Sequence, residues 1–234
     1  MLSKTQETEF DTDRYLERIG LTFRPPKNED GLAQLIEKHI LSVAFENLDI
    51  ALGHPILLNT SHLYDKIVEQ QRGGYCFELN GLFGTLLDQL GFDRYPVMAR
   101  VWYRCPDETP ALTHTLNIVS INGRKFMADV GFGGTTARVP VPLEEGAVVC
   151  DVDGKVMLEK SDPFGFMLLR ETPDGIQQQF STTADIAYPN DLFVANHFVS
   201  THQKSHFTRT AVAGMFTSDG RTGLTDRTLS IRKG

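Results

Sequence analysis

An α+β chain is predicted, helical in its first part and β-rich in its second. Three observations predict it. Apolar residues recur at helical spacing up to Gly91, apolar and polar residues alternate beyond it, and Asn-Gly and Asp-Gly turn signals punctuate the second part. With 234 residues the chain is one large domain or two modest ones, long enough to bury a core. Hydrophobic residues make up 41% and charged residues 23%, ordinary for a soluble globular protein. A net charge of −7 argues against nucleic acid as a partner, and an anionic ligand would have to be held by local groups.

No run of about 18 apolar residues predicts a membrane span. The polar start, Met1 to Phe10, lacks the apolar segment of a signal peptide. Cys76, Cys105 and Cys150 form neither a disulfide framework nor a zinc-ribbon pattern, and a reducing cytoplasm fits best. No internal repeat or low-complexity segment is present.

The elements follow in order. Asp11 can cap a helix through Tyr15, Leu16 and Ile19 that ends at Gly20. Pro25-Pro26 breaks the chain. A second helix is predicted from Asp30 to Leu41, with Leu32, Leu35, Ile36 and Ile40 on one side and His39 at the core edge. Thr60 and Ser61 can cap a third through Leu63, Ile67 and Val68. A fourth carries Leu79, Leu82, Phe83, Leu86, Leu87 and Leu90, and Gly91 stops it. Val97, Ala99, Val101 and Tyr103 then alternate with Met98, Arg100, Trp102 and Arg104 as a strand. Further strands are predicted near 114–121, 124–131, 155–160, 164–171 and 176–182, as an open layer or a barrel. A short helix spans 189–198, and two strands flank Ser218-Asp219-Gly220-Arg221. The sequence ends at Gly234 with no evident closing element.

Arg72-Gly73-Gly74-Tyr75-Cys76 places a cysteine in the first turn of the fourth helix. A helix N-terminus carries unpaired N–H groups and a partial positive charge, both of which favour a thiolate. Arg72 can add to this, so a lowered thiol pKa is expected. On position alone an inert core thiol is slightly favoured. A second site changes the balance. Asn122-Gly123 between two strand patterns is a strong hairpin signal. A two-residue loop there sets Ile121 opposite Arg124, Asp129 opposite Leu116 and His114 opposite Gly131. His114 and Asp129 are then diagonal neighbours on one face, about 7–8 Å apart at the backbone. Gly131 is expected to leave room beside the imidazole.

An aspartate beside a histidine fixes the imidazole tautomer and stabilises the imidazolium, so the other nitrogen can take a proton from a nucleophile. Cys76, His114 and Asp129 can therefore form an acyl-transfer triad. Taken alone, the His–Asp pair is more often a brace within a sheet. Together with the Gly-Gly-Tyr-Cys turn, the catalytic reading is preferred.

These residues resemble the arylamine N-acetyltransferase family, of bacterial type. Arg72-Gly73-Gly74-Tyr75-Cys76-Phe77-Glu78 is similar to its nucleophile motif, and Phe45-Glu46-Asn47-Leu48-Asp49 to an earlier one. Thr113-His114 and Asp129-Val130-Gly131-Phe132-Gly133-Gly134 resemble its histidine and aspartate segments. Ser200-Thr201-His202 with Ser205-His206-Phe207 resembles a later stretch.

The resemblance implies an N-terminal helical bundle, a central β-barrel and a C-terminal α/β lid, on a papain-like or transglutaminase-like thiol enzyme core. It divides the chain into 1–91 carrying the nucleophile, 92–196 carrying His and Asp, and 197–234 beginning the lid. Family members usually run on through a further lid segment, so a shortened lid is expected. The resemblance also implies a ping-pong reaction. Acetyl-CoA, as cosubstrate, acylates Cys76, with His114 as base and Asp129 as orienter. A small aromatic amine, hydroxylamine or hydrazine then attacks the thioester.

Phe45, Val101, Thr113, Phe132 and Phe207 are implied to contact the acceptor, though plain core is preferred for Val101. Gly133 and Gly134, whose N–H groups can approach the acyl oxygen or the cofactor, and Lys204 are implied for cofactor binding. The loop from Arg104 to Leu112 is expected to tune the acceptor. His202 and His206 stand four apart, but no His-Glu-x-x-His pattern surrounds them and no metal is expected. Glu46 is expected to make a buried hydrogen bond tying the helical part to the catalytic helix. Monomer and homodimer both stay open.

Two other functions compete. A thiol hydrolase or transglutaminase would use the same triad on peptide amides, but the papain-type Cys-Gly-Ser-Cys-Trp pattern is absent. A non-catalytic binding module predicts an unreactive Cys76.

Overall fold

The structure, a computed structural model, describes residues 9–104 and 108–233. Cys105 lies outside the described residues. Helices form where the sequence supplies a cap and an apolar stripe. Asp11 precedes α1 (Thr12–Arg18), and its carboxylate accepts from the N–H groups of Asp13 (3.0 Å) and Arg14 (3.1 Å). Asn28 caps α2 (Glu29–Ser42) by accepting from Gly31 N at 2.9 Å. On α2 the expected stripe is buried, but His39 is fully buried rather than at the core edge.

Two elements that no periodicity announced come next, β1 (Phe45–Glu46) and α3 (Leu48–Ala51). Asn59, not Thr60 or Ser61, stands at the start of α4 (Thr60–Tyr64), which continues as a π turn over Asp65–Glu69. Cys76 opens α5 (Cys76–Gln89), and Gly91 follows its end at φ +81°. The stripes of α1, α2, α4 and α5 meet in one apolar core with Val119, Ile121 and Phe126.

Eight antiparallel strands follow: β2 (Asp93–Val101), β3 (Leu112–Ile121), β4 (Arg124–Ala128), β5 (Val141–Pro142), β6 (Val148–Asp151), β7 (Gly154–Lys160), β8 (Phe166–Thr172) and β9 (Gly175–Thr182). Their order is β5-β4-β3-β2-β9-β8-β7-β6. Val97, Leu116, Met127, Val141, Val156, Leu168 and Phe180, one from each strand except β6, meet in a single cluster. In a flat sheet, strands about 4.8 Å apart would leave the outermost roughly 30 Å from one another. The sheet is therefore curled into a nearly closed barrel. The Asn122-Gly123 hairpin has the expected register, with Ile121 paired to Arg124 and Asn117 to Ala128. Asn122 and Gly123 both have positive φ, as the tight two-residue turn requires. The second strand stops at Ala128, short of the expected 131.

The last part is α6 (Pro189–Thr201), a 3₁₀ turn over His206–Thr208, and the strands β10 (Val212–Thr217), β11 (Gly220–Thr225) and β12 (Thr228–Lys233). The third of these strands was not expected. It follows a turn in which Asp226 adopts φ +49°. The sheet order is β1-β10-β11-β12, so Phe45, from the helical part, pairs with Gly214. Among the described residues, no helix is long and apolar enough to cross a membrane.

Candidate active site

Cys76 is the first residue of α5, and a buried ion network fixes that helix end. Glu78 accepts from Tyr75 N (3.1 Å) and from Lys66 Nζ (2.7 Å). Lys66 also reaches Asp49 at 2.7 Å, and Arg72 donates to Asp49 (2.7 Å) and Glu46 (2.9 Å). Glu46 accepts in addition from Leu48 N at 2.7 Å. The expected tie through Glu46 exists, reaching α5 by way of Arg72, Asp49, Lys66 and Glu78. Burial raises the Asp49 carboxyl, but hydrogen bonds from Lys66 and Arg72 outweigh this and hold it at about 2. Burial raises Glu78, and Lys66 only partly offsets it.

His114, on β3, and Asp129, just past β4, meet as the hairpin register dictates. His114 Nε2 lies 2.7 Å from Asp129 Oδ2. Asp129 Oδ1 accepts from Gly131 N (2.8 Å) and from Asn80 Nδ2 (2.8 Å). Phe132 and Phe180 pack on the imidazole at 5.0 and 5.4 Å between ring centroids. Gly131 does not face the imidazole as expected. A Cβ there would stand 2.7 Å from Asn80 Nδ2 and 2.9 Å from Cys76 Cα. The aspartate loop is thus pressed against the first turn of the cysteine's helix, which brings thiol, imidazole and carboxylate into one locality.

The Cys76 sulfur is buried, 3.9 Å from the carbonyl oxygen of Thr113. Burial pushes its thiol pKa up, and the charge of Asp129 adds to this. The N–H groups of Phe77 and Thr115 pull the other way without prevailing. The expectation of a lowered pKa is therefore corrected. Desolvation outweighs the helix terminus, and Arg72 is engaged by Glu46 and Asp49.

Phe45 and Phe207 pack in the same apolar cluster as Cys76, with Met98 of β2 and Leu192, Ala195 and Val199 of α6. Phe45 and Phe207 are 6.0 Å apart, and Tyr75 and Phe207 are 5.9 Å apart. Thr113 contributes its carbonyl beside the sulfur, and Val101 is half-buried opposite Phe180. The next turn of the loop meets the C-terminal sheet. A Cβ at Gly133 would lie 3.6 Å from the Phe45 ring, and one at Gly134 would lie 3.8 Å from Arg221 Nη1.

Phe45, Gly214, Gly223 and Ser230 are paired across β1, β10, β11 and β12, so they share one sheet face. A Cβ on either glycine would meet only its own sheet within 4 Å. A strip without side chains over Gly214 and Gly223 therefore lies between Phe45 and Ser230 on this face. Arg221 and Arg232, paired with each other, border it on the same face. Arg221 is half-buried, and its guanidinium has no hydrogen-bond or ion-pair partner among the described residues. Lys204 is exposed after α6, where its N–H donates to His202 Nδ1 at 3.1 Å.

Asn80, Phe180 and Arg221 are residues of this region that the sequence reading missed. Only Asn80 left a trace, as a polar residue one turn below Cys76 among the apolar residues of α5.

The chain matches the N-acetyltransferase family over residues 30–234. It is 36% identical to an arylamine N-acetyltransferase of Mycolicibacterium smegmatis over 228 residues, covering 95% of this chain and 82% of the relative. Among solved structures, the arylamine N-acetyltransferase of Mycobacterium marinum in complex with CoA superposes with a TM-score of 0.91 at 36% identity, covering 95% of this chain and 83% of that one. The M. tuberculosis arylamine N-acetyltransferase superposes with a TM-score of 0.89 at 36% identity, covering 96% and 85%. A thiol at a helix start beside a His–Asp pair on a barrel is an arrangement suited to acyl transfer. The chain belongs to the arylamine N-acetyltransferase family and is an acyltransferase.

Proposed function

We propose that this chain acetylates arylamines, arylhydroxylamines and hydrazines from acetyl-CoA by a ping-pong reaction through an acetyl-Cys76 thioester. One observation carries the reading. His114 Nε2 is bonded to Asp129 Oδ2 at 2.7 Å, on a loop whose Gly131 presses against Cys76. With Nε2–H donated to the carboxylate, Nδ1 is the nitrogen with a free lone pair. It takes the thiol proton, and Asp129 stabilises the resulting imidazolium.

The thiolate attacks the acetyl carbonyl of the donor and the bond to the CoA sulfur breaks. The imidazolium returns its proton to the departing thiolate. A neutral amine then attacks the acetyl-Cys76 carbonyl, the bond to the Cys76 sulfur breaks, and His114 takes the proton that nitrogen sheds. An arylamine is weakly basic, hence unprotonated near pH 7, and needs little activation.

Phe45, Phe132, Phe207 and the wall at Val101 and Thr113 hold the ring of the acceptor. The N–H groups of Gly133 and Gly134 face the acyl end of the donor. The strip over Gly214 and Gly223 crosses three strand spacings, roughly 14 Å. It accommodates an extended pantetheine arm, with Arg221 and Arg232 toward the phosphates and Lys204 at the rim.

Intact mass after brief exposure to acetyl-CoA without amine tests this. One acetyl group is expected on the wild-type chain and none on Cys76→Ala, and an aromatic amine should remove it. An unmodified wild-type chain, or an acetylated Cys76→Ala chain, would overturn the reading. Cleavage of casein without acetyl transfer would replace it by a thiol hydrolase.

A further inference from the structure

We infer that Asn80 is a positioning residue that locks Asp129, and through it His114, to the helix carrying the nucleophile. The inference rests on the triad proposed above. Asn80 lies four residues after Cys76 on α5, close to one turn along the same helix face. It is 2% exposed, and its amide is satisfied from three directions. Nδ2 donates to Asp129 Oδ1 (2.8 Å) and to the carbonyl of Thr115 (2.7 Å). Oδ1 accepts from Val130 N at 3.0 Å, which fixes which end of the amide faces the carboxylate. One side chain thus touches the residue after Asp129, Asp129 itself, and the residue after His114.

This arrangement does more than brace the helix to the barrel. A separate tie already does that. Asn117 Nδ2 donates to the backbone carbonyl of Asn80 at 3.0 Å, and Arg94 Nη1 donates to Asn117 Oδ1 at 3.1 Å. The side chain of Asn80 adds a constraint on the plane of the Asp129 carboxylate. Without it Oδ1 keeps, among the described residues, only the Gly131 N–H, and the carboxylate can turn about its Cβ–Cγ bond. Oδ2 would then leave the position that sets the imidazole tautomer. The amide also draws charge from Oδ1, so its loss changes how strongly Asp129 favours the imidazolium. Both effects act on proton transfer from Cys76 and leave the donor and acceptor pockets untouched.

The experiment compares wild type, Asn80→Ala, Asn80→Asp and Asn117→Ala. It reads the rate of acetyl-Cys76 formation, its KM for acetyl-CoA, and the pH profile of Cys76 alkylation by iodoacetamide. For Asn80→Ala the acetylation rate is expected to fall roughly 10- to 100-fold at nearly unchanged KM, a share of what a general base supplies. The alkylation midpoint is expected to move by about half a pH unit or more, with the alkaline plateau unchanged. Asn117→Ala is expected to lose stability without moving that midpoint.

Asn80→Asp is isosteric and carries the test if the alanine variant does not fold. A protonated carboxyl there can still donate to Asp129, so its rate relative to wild type is expected to rise as pH falls from 8 to 5.5. A wild-type rate and midpoint in Asn80→Ala, a flat ratio in Asn80→Asp, or the same midpoint shift in Asn117→Ala would each overturn the inference. If wild-type Cys76 takes no acetyl group, the triad reading fails instead, and the alkylation profiles still decide the role of Asn80.

Discussion

Gly131 is where one methyl group would separate the halves of the site. The Cβ of any other residue would stand 2.7 Å from Asn80 Nδ2 and 2.9 Å from Cys76 Cα, and the Cys76 atom is helix backbone that cannot swing away. Gly131→Ala is expected to push the aspartate loop off α5, lowering stability by roughly 1–3 kcal/mol. Acetyl-Cys76 formation should fall about 100-fold or more, because small displacements cost catalysis more than stability. Intact mass and chemical denaturation on the same variant would check both; equal, small losses in the two would count against the argument. At this scale the sequence was readable where a residue's partner is set by local rules. Cys76 follows from a Gly-Gly turn before an amphipathic run, and the His114–Asp129 contact follows from a two-residue hairpin. The thiol's electrostatics were not readable, because desolvation depends on what covers the sulfur. Arg221 comes beside the aromatic cluster only because β10 pairs with β1, far away in sequence.

Helix α2 shows how an element can fit its pattern and still carry a hidden cost. His39 occupies a stripe position, so the helix forms as expected. The ring is fully buried, 3.1 Å from the Tyr15 hydroxyl and 5.5 Å from the Phe83 ring centroid, and Nε2 has no partner among the described residues. Burial, helped by the charge of Arg18, lowers its pKa to about 3. The unfolded chain therefore binds a proton near pH 6.5 that the folded chain refuses until about pH 3. Stability from this group is complete above pH 6.5 and falls as pH drops through that window, by about 1.4 kcal/mol per pH unit. Asp49, held at about 2, also loses stability as pH falls, but only below about pH 3.8, so the two windows barely overlap. Urea midpoints measured from pH 7.5 to 4.5 should show a shallower fall for His39→Gln than for wild type; identical slopes would refute it. Long elements with a cap and a stripe were legible, as in α1, α2 and α5. The short β1, β5 and β6 were not, since two to four residues carry no periodicity and owe their form to strands beside them.

Across the whole molecule the barrel and the C-terminal sheet are joined by a buried arginine. Arg138 donates to Asp153 Oδ2 (2.7 Å) and to the carbonyls of Thr217 (2.6 Å) and Gly220 (2.8 Å), which flank the β10–β11 turn. Its guanidinium also lies 4.6 Å from the Phe216 ring centroid. No sequence rule pairs Arg138 with a turn some eighty residues later, and one of its acceptors, Gly220, directly precedes Arg221. Arg138→Met keeps the bulk but leaves a buried carboxylate and two carbonyls unpaired, a loss of roughly 3–5 kcal/mol. Its effect should be uneven. Hydrogen exchange is expected to quicken through Val212–Thr225 while the barrel strands β2 and β3 stay protected. If the strip between the two sheets takes the donor, KM for acetyl-CoA should rise while the reaction of preformed acetyl-Cys76 with amine keeps its rate. Uniform loss of protection, or equal damage to both half-reactions, would mean that the C-terminal sheet supports the fold as a whole rather than the donor side of the cleft.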